Sequence, residues 1–186
     1  MQTMTRVIVL RAVPGPNGTL QRPRRVTVHR LGEGLGRIEE APDARRKDGR
    51  LVVAALPDVW EIEAGRRTGS HRVDPGPSYA FHAPALSRAR GTATSGLAVE
   101  LGREFEYLRA RGARRSLRTV AGEERDAWEV VDGGHEVTLM ADPGTERPRR
   151  LTVVREGRTV LELQYLAYER GLSPELDLFT PLPADS

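Results

Sequence analysis

The stretch Ala127-Trp128-Glu129-Val130-Val131-Asp132-Gly133-Gly134-His135-Glu136-Val137-Thr138-Leu139-Met140-Ala141 decides the fold class. Trp128 and Val130 fall on one side about Glu129, and Val137 and Leu139 on one side about Thr138, which is the two-residue period of a half-buried strand. Asp132-Gly133-Gly134 between them is a hairpin turn, because glycine supplies the positive φ that a tight connection needs. The stretch therefore predicts an antiparallel pair, Ala127–Val131 with His135–Ala141.

The same pattern continues on both sides. Upstream, Ser116–Ala121 reads as a strand turned by Gly122-Glu123-Glu124. Downstream, Asp142-Pro143-Gly144-Thr145 turns the chain and Pro148 leads into Leu151–Val154. Glu156-Gly157 joins that strand to Thr159–Tyr168, where Leu161, Leu163 and Tyr165 face one way and Glu162 and Gln164 the other. The first half predicts strands at Val7–Val13, Arg24–Leu31, Leu35–Glu40, Leu51–Leu56, Val59–Ala64 and Thr68–Val73. Pro14-Gly15-Pro16-Asn17-Gly18, the charged turn Pro42–Gly49 and Pro57-Asp58 separate them. Gly32, Gly34 and Gly36 read as bulges or bends that curve the sheet, since strand-like sequence rather than a phosphate-binding helix follows them. The tail from Leu172 to Pro183 is apolar but broken by proline and predicts an extended cap.

Between the halves lies Asp74–Gly96, rich in proline, alanine, glycine and serine, with a short helix predicted at Ala85–Arg90. A clear helix is predicted over Leu97–Arg111. Leu97, Leu101, Phe105 and Leu108 are spaced four, four and three apart and line one face. Thr94 or Ser95 is its expected N-cap, and Gly112 its left-handed stop. About ten short strands with one or two helices predict a mostly β, α+β fold of one domain over residues 1–186. Its sheet is strongly curved or barrel-like, and the helix lies on the concave face.

Composition bounds the function. The 186 residues carry no cysteine, which removes disulfides, thiolate nucleophiles and cysteine metal sites. Hydrophobic residues make up 38%, and the longest apolar run, Leu51–Leu56, is too short to span a bilayer. The formal charge is +3. The basic residues are nearly all arginine and are scattered among acids, so nucleic acid is not an expected partner. Val7–Leu10 is too short for a signal-peptide core, so the chain is either cytoplasmic or the mature part of an exported protein.

Catalytic constellations are not expected. His29, His71, His82 and His135 lack metal-ligand spacing, and His135, just after a hairpin turn, reads as an exposed residue. Glu61 and Glu63 alternate about Ile62 as a solvated strand face would. No serine sits in a G-x-S-x-G elbow, and there is no G-K-[ST] loop. The expectation is no enzyme, no cofactor and no metal.

The run Gly122-x5-Trp128-x-Val130, Val137-x-Leu139, Asp142-Pro143-x-Thr145-x2-Pro148, a strand–Gly157–strand hairpin and Leu172-x-Pro174-x4-Phe179-x-Pro181-x-Pro183 resembles the outer-membrane lipoprotein carrier (LolA-like) family. The Asp48-Gly49-Arg50 turn and the central loop and helix fit the same order, so the resemblance covers roughly Arg24 to Pro183. It implies an unclosed antiparallel barrel whose lid is the helix Leu97–Arg111, with Asp74–Gly96 as its rim. It also implies a periplasmic or otherwise extracytoplasmic place, peripheral to the membrane. The partner would be a lipid or lipoprotein acyl chain, or, as in stress-sensing relatives, an envelope protein. Candidate lid and cavity residues are Leu97, Leu101, Phe105, Leu108, Trp60, Trp128, Val130, Leu139, Leu161, Leu163 and Tyr165. With aromatics at 5% of the chain, filling a core remains the alternative reading of the aromatic members.

Overall fold

A computed structural model describes residues 2–42, 49–62, 69–73, 97 and 99–180. The expected helix at Ala85–Arg90, the expected caps Thr94 and Ser95, and His82, Glu63 and Asp48 lie outside the described residues. The strands are β1 (Met4–Ala12), β2 (Arg24–Leu31), β3 (Leu35–Glu40), β4 (Arg50–Ala55), β5 (Asp58–Ile62) and β6 (Gly69–Val73) in the first half. The second half supplies β7 (Arg114–Val120), β8 (Glu123–Asp132), β9 (His135–Ala141), β10 (Pro148–Arg155) and β11 (Arg158–Leu172). They form one antiparallel sheet in the order β6-β5-β4-β3-β2-β1-β11-β10-β9-β8-β7. Each half is thus a meander, and the long β11 returns to pair with β1 and join the two. The sheet is not closed: β6 and β7 are its outermost strands.

Register sorts the side chains. Val7 opposes Val28, Val9 opposes Val26, Ile38 opposes Val28, and Leu151 opposes both Leu139 and Leu163. These residues share one face and are buried in a single cluster. Across β1 and β11 the face is kept in phase by an irregularity. Val9 pairs with Tyr165 but Ile8 with Ala167, so Leu166 is the extra residue. This bulge puts Tyr165 and Tyr168 on the same side although they are three apart, and leaves Leu166 exposed.

The helix is shorter than its periodicity suggests. It runs over Glu104–Ala110 (α1), with Arg103 at the N-cap position making no side-chain capping bond. The reason is Gly102, which sits at φ +91° and breaks the helical path before it reaches Leu101. Leu97 and Leu101 are buried all the same, as an irregular lead-in. Gly112 ends α1 at φ +67°, where its amide and that of Ala113 bond back to the Arg109 and Leu108 carbonyls.

Curvature follows from what this segment touches. Arg30 on β2 reaches Leu101, and Asp132 at the end of β8 reaches Tyr107. Those strands are five spacings apart, about 24 Å in a flat sheet. Seven residues bridge them because the sheet curls around the segment, making this the concave face.

Several sequence expectations need correction. Gly32 and Gly34 belong to the turn between β2 and β3, and Gly36 lies within β3 in unbroken register with Arg30, so these glycines are not bulges. His135 is buried, with Nδ1 3.2 Å from the Asp132 carbonyl; the hairpin register points it inward with Asp132. Glu61 is no free surface acid: it opposes Val52 on the concave side, 2.6 Å from the Nε of buried Arg50. Arg50 also meets Glu40 at 3.2 Å, and Glu40 meets Arg11 at 3.6 Å. This charged row closes one end of the apolar face. The tail forms a 3₁₀ turn, Leu176–Phe179, instead of an extended cap. Phe179 packs with Met4 and Leu31 on the convex face, and Arg37 donates to the Leu178 carbonyl.

Truncating Leu163, which is fully buried on the central β11, is expected to cost about 3 kcal/mol in Leu163→Ala, read as a lowered urea midpoint with unchanged slope.

Candidate functional site

The site is the concave face together with the segment that crosses it, residues 97–108. Leu97, Val99, Leu101, Phe105 and Leu108 turn inward and join one cluster with Val7, Val28, Leu139, Leu161, Leu163 and Tyr165. Trp128 and Val130 pack against that cluster half-buried. Phe105 is the central anchor: its ring meets Trp128 edge-on at 6.0 Å and Tyr168 at 6.5 Å. Of the expected cavity residues, ten are brought together in this way. Trp60 is not. It opposes Val53 on the convex side and stacks on His71, 5.3 Å between ring centroids. One step of strand phase separates it from Val59, which does face the cluster.

Polar contacts hold the rim of the segment. Arg30 donates Nε to the Leu101 carbonyl at 3.0 Å and pairs with Glu100 at 2.9 Å. Arg103 meets Glu33 at 2.6 Å in the turn between β2 and β3. Arg170 on β11 donates to the Gly102 carbonyl at 3.1 Å and to the Tyr168 hydroxyl at 2.7 Å. At the far end the Tyr107 hydroxyl donates to Asp132 at 2.6 Å, and Arg111, stacked over the Tyr107 ring, pairs with the same carboxylate at 2.7 Å. Tyr107 and Arg111 hold the Asp132 carboxyl below the usual carboxylate range. Arg109 is ion-paired with Glu146.

Two carboxylates interrupt this apolar underside, Glu100 and, more deeply, Glu104. Glu104 is fully buried at the start of α1, with the Tyr168 hydroxyl 3.5 Å from Oε1. Burial pushes its carboxyl up to about 7, against smaller opposing effects from Tyr165, neighbouring backbone amides and Arg170. Burial, and then Glu104 itself, raises the Tyr165 hydroxyl well above its ordinary range. Arg30, Glu104 and Arg170 escape a sequence reading. Glu104 lies three after Leu101 and four before Leu108, at the margin of the apolar stripe that the periodicity draws, where the pattern alone does not say whether a charge is buried. The signal that could have found them is the pairing of Arg30 and Arg170 with apolar alternation on the same strand faces.

No protein-family model and no curated protein matches the sequence. Solved structures do. An uncharacterized conserved protein from Thermus thermophilus superposes with a TM-score of 0.57 at 12% identity, over 97% of this chain and 86% of that one. MucB in complex with MucA(peri) gives 0.43 at 16%, over 98% of this chain and 55% of that one. A putative outer membrane lipoprotein-sorting protein domain from Vibrio parahaemolyticus gives 0.41 at 11%, over 95% and 88%. At 12% identity the likeness to the Thermus thermophilus protein is one of fold, which in this chain is an antiparallel, unclosed sheet with a helix laid across it. Among the described residues there is no cluster of three or more histidines and carboxylates suited to a metal, and no helix long and apolar enough to cross a membrane.

The raised Glu104 carboxyl sets a pH dependence. Its proton is held more tightly in the folded protein than in the unfolded chain, where 4.5 applies. The stability this provides is complete below about pH 4.5 and is lost as pH rises to about 7, a change of roughly 3 kcal/mol. Denaturant midpoints across that range should fall in the wild type and stay nearly level in Glu104→Gln. Equal slopes in the two proteins would contradict the assignment.

Proposed function

We propose that this chain is a non-enzymatic, extracytoplasmic binding domain, one unit over its length, that takes an acyl chain of a lipid or lipoprotein against its concave face. The supporting observation is how residues 97–108 cover that face. Among their described residues Leu97, Val99, Leu101, Phe105, Tyr107 and Leu108 are buried apolar side chains and Glu100 and Glu104 are the buried charges, and the attachment runs through ion pairs and hydrogen bonds around the rim. Such rim contacts contribute little individually when exposed, whereas the apolar surface beneath is what an acyl chain would replace, at about 0.8 kcal/mol per buried CH₂. Residues 97–108 are thus a resident stand-in for cargo. Displacing them reduces apparent affinity by the fraction of molecules that are open.

A second reading, a module that binds a protein partner, has its own observation. The outermost strand β7 exposes Leu117 and Val120, and Val131 on β8 is 71% exposed. An outer strand with apolar side chains is a place where another chain can pair.

Titration with a fluorescent fatty acid, cis-parinaric acid, tests the first reading. Binding is expected in the wild type, and about tenfold tighter binding in Arg103→Ala/Arg111→Ala, whose rim contacts are cut. No binding to either protein, with no lipid extracted from fresh preparations, would overturn the acyl-chain reading.

A further inference from the structure

Resting on the acyl-chain reading, we infer that Glu104 is a proton-operated latch on the same site: residues 97–108 stay down while its carboxyl is neutral, and lift to admit cargo when it ionises. Glu104 is the first residue of α1 and is fully buried. The other buried acid of the segment, Glu100, has Arg30 at 2.9 Å. Glu104 has no such counter-ion among the described residues. The Tyr168 hydroxyl lies 3.5 Å from its Oε1, and its Oε2 is buried without a hydrogen-bond partner.

The groups that face this carboxyl suit its neutral form. From β11 come the Tyr165 and Tyr168 hydroxyls, which burial and then Glu104 itself raise above their ordinary range, so both stay neutral. The two sheet cations that feel its charge, Arg170 and Arg30, are engaged by other oxygens. Arg170 donates to the Tyr168 hydroxyl and the Gly102 carbonyl and lies 3.7 Å from both Glu106 and Glu146. Arg30 holds Glu100 and the Leu101 carbonyl. Glu100 and Glu106, the neighbours on the segment itself, add no cation. An ionised Glu104 would therefore sit in a dry interior without an ion pair of its own, which is unfavourable.

Lifting the segment returns this carboxyl to water. The covered state holds its proton up to about 7, against the ordinary 4.5, so raising the pH across that interval favours the lifted state. Global unfolding would hydrate Glu104 too. Lifting does so with the ladders of β1, β10 and β11 intact, and only one segment's contacts are lost. The place of Glu104 in the chain directs the effect. Phe105 beside it is the anchor, with its ring 6.0 Å from Trp128 and 6.5 Å from Tyr168, so ionisation acts where the segment is most deeply seated.

The test compares wild type with Glu104→Gln, which keeps the shape of the neutral acid and cannot ionise, between pH 5 and pH 8. N-phenyl-1-naphthylamine, an apolar dye that is uncharged over this range, reads access to the concave face. Hydrogen exchange of the Arg103 and Tyr107 amides without denaturant, corrected for the intrinsic effect of pH, reads lifting with no ligand present. In wild type both the dye affinity and the opening constant of these amides should rise at least about tenfold from pH 5 to pH 8, because apparent affinity follows the open fraction. In Glu104→Gln both should stay near the wild-type value at pH 5. His135 and every other titratable group remain in that variant, so any effect of theirs survives there. A level opening constant in wild type, a bound dye whose affinity stays level, or an equal rise in Glu104→Gln would overturn the latch. If Glu104→Gln fails to fold, the wild-type exchange profile decides alone. Dye that binds at no pH would overturn the acyl-chain reading, while exchange still decides the latch.

Discussion

The constraint on which this structure depends is the need to keep water off one face of an eleven-stranded sheet. Val7, Val9, Val28, Ile38, Leu139, Leu151, Leu161 and Leu163 form a continuous apolar floor, and a sheet that curls but does not close cannot cover it alone. Residues 97–108 do so. Each fully buried leucine or phenylalanine in that segment contributes roughly 2 kcal/mol of transfer free energy, whereas an exposed pair such as Arg103–Glu33 contributes at most about 1 kcal/mol. Burial holds the cover down, and the rim contacts fix where it sits. The buried Glu104 works against the first of these, since an ionised carboxylate in a dry interior is unfavourable.

The two faces of the sheet are closed by different means. The concave side is sealed by the crossing segment and, at one end, by the charged row Arg11, Glu40, Arg50 and Glu61. On the convex side the chain's own tail supplies a patch, with Phe179 against Met4 and Leu31. The β7 end has no such patch among the described residues. Its arginines fold back instead, Arg115 onto Asp126 at 2.6 Å and over the Trp128 ring, and Arg118 onto Glu129. These pairs shield an outer strand that carries exposed Leu117, a device that discourages unwanted pairing while leaving the backbone edge in place.

Strand identity was legible because alternation and turn chemistry agree: β2, β3 and β9 follow the sequence pattern closely, and Gly133-Gly134 is the expected hairpin. The helix was legible at its end, where Gly112 takes the left-handed conformation, but not at its start. Leu97 and Leu101 sit at helical spacing by coincidence of burial, and Gly102 stops the helix from reaching them. Trp60 was assigned to the cavity because its neighbours are apolar on both faces of the sheet, where periodicity alone does not choose a side. His135, Glu61 and Glu104 escaped for one reason. Register and tertiary contact decide the burial of a polar side chain, and neither is written in local sequence.

The central claim is that residues 97–108 form a cover that separates from an otherwise intact sheet. Native-state hydrogen exchange tests it directly through the amides of Arg103 and Tyr107, which bond within the segment, and of Arg111 and Ala113, which bond to its carbonyls, set against those of β1, β10 and β11. The account predicts that the segment's amides exchange through a partial opening at clearly lower free energy, with little dependence on denaturant. Exchange of both groups at one common, global free energy would mean that the cover and sheet open only together, and would contradict it.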